Sequence, residues 1–297
     1  MKRLLIIGCG DVLRRALPHL IRHWRVYALV RQRDAALAAL GVTQLLGNLD
    51  DRRSLDRLAG LADAVIHSAP PPSEGHRDPR TARLLAALSK GRGKGKSLPR
   101  SVVYIGTTGV YGDCAGASID ETRPLAPLSD RARRRVDAER QLRAFARRTG
   151  CRLALLRAPG IYAEDRLPLE RLHKATPLVR AEEDAYTNHI HAEDLARACV
   201  AALTRGRHLQ VVNAVDDTDL KMGDWFDLLA DTFALPRSPR LSKAEALAQL
   251  SPMQRSFMGE SRRIGNRRLK DELRLRLRYP TVADGLAAAL ESKQGHS

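Results

Sequence analysis

The sequence predicts an α/β protein: a doubly wound parallel sheet with a smaller, mainly helical C-terminal lobe. Three observations carry this. Strand-like and helix-like segments alternate through the first 160 residues, the strand-like ones are near-continuous apolar runs, and the rhythm changes after Pro159-Gly160. Alternation of this kind builds parallel sheets covered by helices on both faces, which leaves no polar face on a strand.

The chain opens on the apolar run Leu4-Leu5-Ile6-Ile7, which stops at Gly8. Gly10 follows, and then an amphipathic stretch with Leu13, Leu17, Leu20 and Ile21 on one side. Buried strand, tight turn and helix in that order present backbone N–H groups and a helix N-terminus to a pyrophosphate, as in a Rossmann fold. Gly8 makes the turn and Gly10 lets the backbone approach the phosphates. Leu13 stands where G-x-G-x-x-G has its third glycine. The candidate pyrophosphate contacts are therefore Gly8, Cys9, Gly10, Asp11, Val12 and Leu13.

Further strands are expected at Arg25 to Val30, Val42 to Leu46, Asp63 to Ala69, Ser101 to Ile105 and Arg152 to Arg157. Helices are expected at Asp34 to Leu40, Arg52 to Leu58, Arg80 to Leu88 and Asp130 to Arg148. Pro70-Pro71-Pro72 closes the fourth strand, since proline continues neither a helix nor a central strand. Residues 1–160 form the dinucleotide-binding domain, joined by a returning strand near 209–214. Residues 161–297 form the lobe on the substrate side, interleaved with that domain.

Composition limits the alternatives. A chain of 297 residues with 43% hydrophobic content can bury a sizeable core. No apolar run reaches the about 18 residues of a membrane helix, and the charged start argues against export. Four widely spaced cysteines without a C-x-x-C pair read as free thiols in a reducing cytoplasm, and no group has metal-ligand spacing. The net charge of +17 invites a nucleic-acid-associated reading. The arginines are spread among acids, however, and aromatics make up only 4% of the chain. A small-molecule substrate is the expected partner, not nucleic acid or membrane, and a homodimer is left open. The run Ser89-Lys90-Gly91-Arg92-Gly93-Lys94-Gly95-Lys96-Ser97 ends like a P-loop but lies between a helix and a strand in the wrong order, and reads as a solvated, mobile loop.

The second strand ends at Val30-Arg31, about twenty residues past the glycine turn, where NAD-selective folds place an acid for the ribose hydroxyls. Arg31 instead offers a cation to a 2′-phosphate, with Arg33 as a helper, so NADP is expected before NAD. Asn48-Leu49 and Ser68-Ala69-Pro70 close the third and fourth strands, at the carboxyl ends where such sheets bind ligands.

Gly106-Thr107-Thr108-Gly109-Val110-Tyr111-Gly112 resembles the S-S-x-x-V-Y-G segment of extended short-chain dehydrogenases/reductases, the sugar-nucleotide epimerase/dehydratase-like proteins. Arg157 to Tyr162 resembles their R-x-x-x-x-Y-G segment, and Asn188 to Ala196 their I-H-v-x-D-L-A segment. These come in the family's order with the glycine turn and the Gly47-Asn48-Leu49 step. The resemblance implies that Asn48 and Leu49 flank the adenine, although the family commonly has Asp at the position of Asn48. It also implies that Ala69 and Pro70 lie along the cofactor, that Pro159, Gly160 and Ile161 pack near the nicotinamide, and that Thr107 hydrogen-bonds the substrate oxygen.

The sequence departs from the family at its Tyr-x-x-x-Lys pair. With Glu139 aligned to the family's glutamate, the lysine position is Arg135 and the tyrosine position Arg131. Arg135 can hold ribose hydroxyls, but Arg131 cannot trade a proton near neutrality. Tyr111 and His189 are the substitute acids to consider, with His191 behind them, and Asp194 is expected to cap the helix that follows. Three functions stay open: a nicotinamide-dependent oxidoreductase or epimerase/dehydratase acting on a carbonyl or carbinol, a non-catalytic NADP(H)-binding regulator or scaffold, and, on charge alone, a basic nucleic-acid-associated protein.

Overall fold

The computed structural model describes residues 1–90, 97–250, 255 and 259–294. The Gly/Lys/Arg run at 91–96 lies outside them. The N-terminal strand β1 (Lys2–Ile7) leads into α1 (Asp11–Leu20), followed by β2 (Trp24–Val30), α2 (Ala35–Ala39), β3 (Thr43–Leu46) and β4 (Ala64–His67). Next come α3 (Pro79–Ser89), β5 (Ser101–Thr107), the two-residue β6 (Ser118–Ile119), α4 (Asp130–Thr149) and β7 (Arg152–Ala158). With β12 (Gln210–Asn213), all of these strands except β6 build a seven-stranded sheet in the order β12-β7-β5-β4-β1-β2-β3, parallel throughout. Strand order reverses at β1, which has β2 on one side and β4 on the other. The crevice outside the carboxyl end of β1 is thus the switch point where such sheets take ligands.

Alternate residues of β1 feed two separate cores. Leu4 and Ile6 pack with α1 and with α6 (Ala192–Arg205), while Leu5 and Ile7 pack with α3 and α4. Both faces being covered explains the unbroken apolar run. α6 follows the expected domain boundary in sequence, yet it covers the sheet beside α1. The expected helix over 52–58 is instead a short 3₁₀ segment, Arg53–Leu58. α2 is only five residues long, held by Asp34, whose carboxylate accepts from the N–H groups of Ala36 and Leu37.

The long helix α4 is capped at both ends. Ser129 accepts from the Ala132 N–H, and Gly150 closes the helix at φ +73°. Asp130 sits in the first turn and Arg147 and Arg148 in the last, each favourable to the helix dipole. α4 is tied to the sheet by a buried ion pair. Arg157 on β7 donates from Nε and Nη2 to the two oxygens of Glu139, at 2.9 and 2.8 Å. Burial opposes the charge on Arg157, but Glu139 holds its pKa above the usual guanidinium value. The third nitrogen donates to the Tyr111 hydroxyl at 2.8 Å, and that hydroxyl donates to Asn213 Oδ1 on β12 at 2.7 Å.

Beyond β7 the lobe is built from very short strands and helices. β8 (Gly160–Tyr162) pairs in parallel with β11 (His189–His191). Between them lie α5 (Leu169–His173), β9 (Leu178–Val179) and β10 (Tyr186–Thr187). β13 (Leu220–Lys221), α7 (Met222–Thr232), β14 (Arg240–Leu241), α8 (Lys243–Gln249) and β15 (Arg263–Ile264) follow β12. Trp225, Phe226 and Leu229 of α7 form the lobe's own core with Tyr162, Leu172, Leu178, Val282 and Leu286. No described helix is long and apolar enough to cross a membrane.

Breaking the Glu139–Arg157 pair on one side strands a charge in the interior. Glu139→Gln is expected to lower the unfolding free energy by about 3–5 kcal/mol, read as a shift in the urea midpoint. The double variant Glu139→Gln/Arg157→Met should lose less than the single one, because it removes the orphaned charge.

Candidate functional site

The first cavity follows from the turn after β1. Gly8 has φ +87°, and a Cβ there would come within 2.6 Å of the Ala69 backbone nitrogen. Only glycine fits. The Gly10 N–H donates back to the Gly8 carbonyl at 2.9 Å, and the Ser68 hydroxyl donates to the same oxygen. Gly10 itself is the N-cap of α1 without a capping side chain, and a Cβ on it would project into open space. The first N–H groups of α1 therefore face a cavity of about 850 Å³ lined by Gly8 to Arg14, Arg31, Gln32, Ser68 to Pro70, Ile105, Gly106, Arg135, Ile161 and Arg166.

Most of the expected cofactor contacts converge here. Gly8, Cys9, Gly10, Asp11, Val12, Leu13, Arg31, Ser68, Ala69, Pro70, Arg135 and Ile161 all line this cavity. Asn48 and Leu49 line a smaller one of about 260 Å³ beside it, together with Gly8, Arg31, Ala69 and Pro70. Asn48 accepts from the Asp50 N–H and receives the Ser54 hydroxyl at its carbonyl. Pro159 and Gly160 line an adjoining cavity instead, and Arg33 falls outside all of them. It is exposed and lines neither cavity, and Gln32 takes its place on the wall. Burial pushes the Cys9 thiol up to about 11, so it faces the cavity as a neutral thiol.

A clasp of ion pairs spans the cavity rim. Arg15 on α1 reaches Glu164 at 2.8 Å, Asp165 at 2.7 Å and Asp11 at 3.1 Å. Arg166 reaches back to Asp11 at 3.1 Å. On the inner side, Arg14 pairs with Asp34.

The second cavity, about 590 Å³, shares Gly106, Arg135, Ile161 and Arg166 with the first, so the two are continuous. Thr107, Pro159, Gly160, Tyr162, His189, Trp225 and Phe226 line it. Thr107 Oγ1 accepts from the Gly109 N–H at 3.2 Å. Arg135 donates to the Tyr104 hydroxyl at 2.9 Å and to the Ile105 carbonyl at 3.2 Å, which fixes it at the junction of the two cavities. Arg131 lines the second cavity, its pKa lowered by burial and by the charge of Arg135. Guanidinium groups nonetheless stay protonated in proteins. Five arginines (131, 135, 166, 171 and 262) face this cavity against one described acid, Glu260, which Arg262 binds at 2.6 Å.

The substitute acids considered from sequence are placed differently. Tyr111 lines neither cavity. It is 1% exposed with its hydroxyl saturated by Arg157 and Asn213, and burial raises its pKa. Its position in the sheet-to-helix network accounts for the tyrosine without chemistry. His189 does line the second cavity, packed on Trp225 with ring centroids 4.6 Å apart. Burial pulls its pKa down to about 3, so at neutral pH it is a neutral imidazole and not an acid. His191, not Asp194, caps α6, its Nδ1 accepting from the Glu193 N–H at 3.2 Å. Asp194 is fully buried inside the helix, where it accepts from the backbone N–H groups of Arg278 and Tyr279.

Sequence reasoning missed Arg14, Arg166, Arg171 and Arg262. Each comes from a different segment, and in an arginine-rich chain no local pattern marks the ones that converge. Among the described residues no cluster of His, Cys, Asp and Glu could hold a metal.

Comparison with known proteins comes to the same architecture. The model of the NAD-dependent epimerase/dehydratase family matches residues 10–214. No curated protein matches the sequence. A functionally unknown conserved protein from Silicibacter pomeroyi is 31% identical, with a TM-score of 0.81 over 99% of this chain and 100% of that one. UDP-glucose 4-epimerase from Thermotoga maritima, solved with UDP-glucose, is 18% identical with a TM-score of 0.78 over 99% of each chain. UDP-glucuronic acid 4-epimerase from Bacillus cereus, solved with UDP-glucuronic acid and NAD, is 16% identical with a TM-score of 0.76, covering 99% of this chain and 100% of that one.

Burial holds His67 as it does His189, with a pKa near 3. Their ring proton resonances are expected to stay at neutral-imidazole shifts between pH 5 and 8 in an NMR titration. The linked stability is present in full above pH 6.5, the ordinary value, and is lost as pH falls toward 3 because the unfolded chain protonates first.

Proposed function

The chain belongs to the NAD-dependent epimerase/dehydratase family, and from that premise we propose that it is an oxidoreductase or epimerase/dehydratase-like enzyme that prefers NADP and acts on a small anionic substrate. The observation that carries the reading is the pair of continuous cavities. One lies at the N-terminus of α1 and the other is walled by arginines, and they meet at Gly106, Arg135, Ile161 and Arg166. The four free thiols fit a reducing cytoplasm.

A bound nicotinamide dinucleotide supplies or accepts hydride at the substrate's carbonyl or carbinol carbon. The N–H groups of Asp11, Val12 and Leu13 and the positive end of the α1 dipole receive the diphosphate. Arg31, at the wall of both the large and the small cavity, receives the 2′-phosphate. Thr107 donates its hydroxyl hydrogen to the substrate oxygen. Arg131 and Arg135 hold positive charge where that oxygen becomes anionic, which lowers the barrier without a proton leaving either guanidinium. The proton itself comes from solvent in the cleft when a carbonyl is reduced and passes to solvent when a carbinol is oxidised.

One observation favours a second reading, a non-catalytic NADP(H)-binding regulator or scaffold. Arg131 and Arg135 replace the proton-transferring pair, and Tyr111, the first substitute, lies outside the cleft. Turnover against a panel of carbonyl and carbinol acids separates the two. Cofactor binding without any turnover across the panel selects the regulator.

Gly10→Val should fold, because its side chain enters open space, and should weaken dinucleotide binding at least tenfold, about 1.4 kcal/mol. Unchanged affinity in the folded variant would remove the diphosphate from the α1 N-terminus.

Calorimetry should find NADP bound more tightly than NAD. Arg31→Ala should cost NADP about 1.5–3 kcal/mol, the value of a charge-assisted hydrogen bond, and leave NAD nearly unchanged. Equal wild-type affinity for the two would refute the preference.

A further inference from the structure

We propose that the arginine-lined cavity takes a compact substrate carrying a phosphoryl or carboxylate group, seated on Arg171, and not a nucleotide-linked substrate. This rests on the reading of that cavity as the substrate side of the dinucleotide cleft.

Arg171 lies on α5 with its guanidinium over the Phe226 ring, 4.4 Å from the centroid. Its Nε and Nη2 are closed off from solvent and have no hydrogen-bond partner. These two nitrogens form the side-on edge of the fork, the edge by which Arg157 clasps both oxygens of Glu139. No carboxylate lies within salt-bridge distance of Arg171 among the described residues, and burial pushes its pKa down with no opposing contribution. Several other cations around the cleft are paired with acids: Arg14 with Asp34, Arg15 and Arg166 with Asp11, Arg262 with Glu260. A half-buried cation with no counter-ion is costly to keep, and an oxyanion entering the cavity supplies the missing partner. Because the head group is held by a ring face and not by hydrogen bonds, it can turn its edge toward a ligand.

A second unpartnered group borders the same place. His189 is 5% exposed, and its Nδ1 has no hydrogen-bond partner. Its ring stacks on Trp225, the neighbour of Phe226 on α7, so Arg171 and His189 flank adjacent rings of one helix. As a neutral imidazole it offers a single donor or acceptor to a ligand that Arg171 holds by charge. Arg135 stands at the junction with the dinucleotide cavity, and Thr107 and Arg131 line the same cavity as Arg171 and His189. The site therefore has a reacting end and an anion-holding end.

The aromatic rings explain why the substrate is compact. Tyr162, Trp225 and Phe226 are each under 5% exposed, and Tyr186 is covered by Arg263 at 5.0 Å and Lys221 at 5.8 Å. Three of these rings are thus packed into the lobe's core and the fourth already meets two cations, which leaves little ring face for a base. Stacking of that kind is worth about 1–3 kcal/mol per base.

The test titrates inorganic phosphate, malonate and UDP into the full-length protein by calorimetry, with and without NADP. Wild type, Arg171→Gln, Arg171→Lys and His189→Asn are compared. Wild type is expected to bind phosphate or malonate, and the tighter of the two assigns the phosphoryl or the carboxylate class. Arg171→Gln should weaken that binding at least tenfold, Arg171→Lys should restore part of it, and His189→Asn should weaken it about threefold. UDP should bind no more tightly than phosphate. The proposal is overturned if neither small anion binds wild type, if both bind the Arg171 variants as well as wild type, or if UDP binds a hundredfold more tightly than phosphate. NADP binding is measured on the same samples and should be unchanged by the Arg171 variants. Arg171-dependent anion binding in a protein that binds no dinucleotide would overturn the proposed function and leave the anion seat standing.

Discussion

The buried pair between Glu139 and Arg157 is the constraint on which the rest of the site depends. It fixes the middle of α4 against β7, and through Tyr111 and Asn213 it reaches the edge strand β12. The first turns of the same helix carry Arg131 and Arg135 into the cavity wall. A paired interior charge is weak evidence of added stability, since apolar replacements often do as well. Its contribution here is geometric. A bidentate fork accepts one rotation of α4 about its axis, and that rotation decides which side chains face the cleft.

Charge is distributed unevenly between the two cavities. The dinucleotide cavity relies on backbone N–H groups and a helix end, and most of the cations around it are already paired with acids. The second cavity is walled by guanidinium groups with few acids among them. An anion is thus attracted to both, but in the second its arrival relieves a partly buried cation, Arg171, that has no counter-charge within salt-bridge distance among the described residues. Arg131 and Arg135, which the sequence resemblance sets at the family's tyrosine and lysine positions, add to the same pattern of fixed positive charge.

Much of the sheet could be read from the sequence because its constraints are local. Apolar runs such as Leu4 to Ile7 admit one environment, and Gly8 followed by Gly10 admits few backbones. The segment Arg53–Leu58 was harder, since six residues with two apolar positions, Leu55 and Leu58, fit a 3₁₀ turn as well as a helix. Polar residues were read least well, because their roles are set by distant partners. Tyr111 is bound by residues 46 and 102 positions away, and Asp194 by amides 84 and 85 positions away. Arg33 and Arg31 differ by two positions in sequence, but the end of β2 turns only Arg31 toward the cavities.

The clasp of Asp11 with Arg15 and Arg166 has a thermodynamic consequence. A carboxylate at the first position of α1 occupies the neighbourhood a diphosphate needs, and it holds the guanidinium of Arg166 at the rim. A diphosphate arriving there exchanges one anion for another on a shared cation and does not simply neutralise an idle one. Few small ions are then released to bulk solution. The association is accordingly less sensitive to ionic strength than the charge of the ligand alone implies.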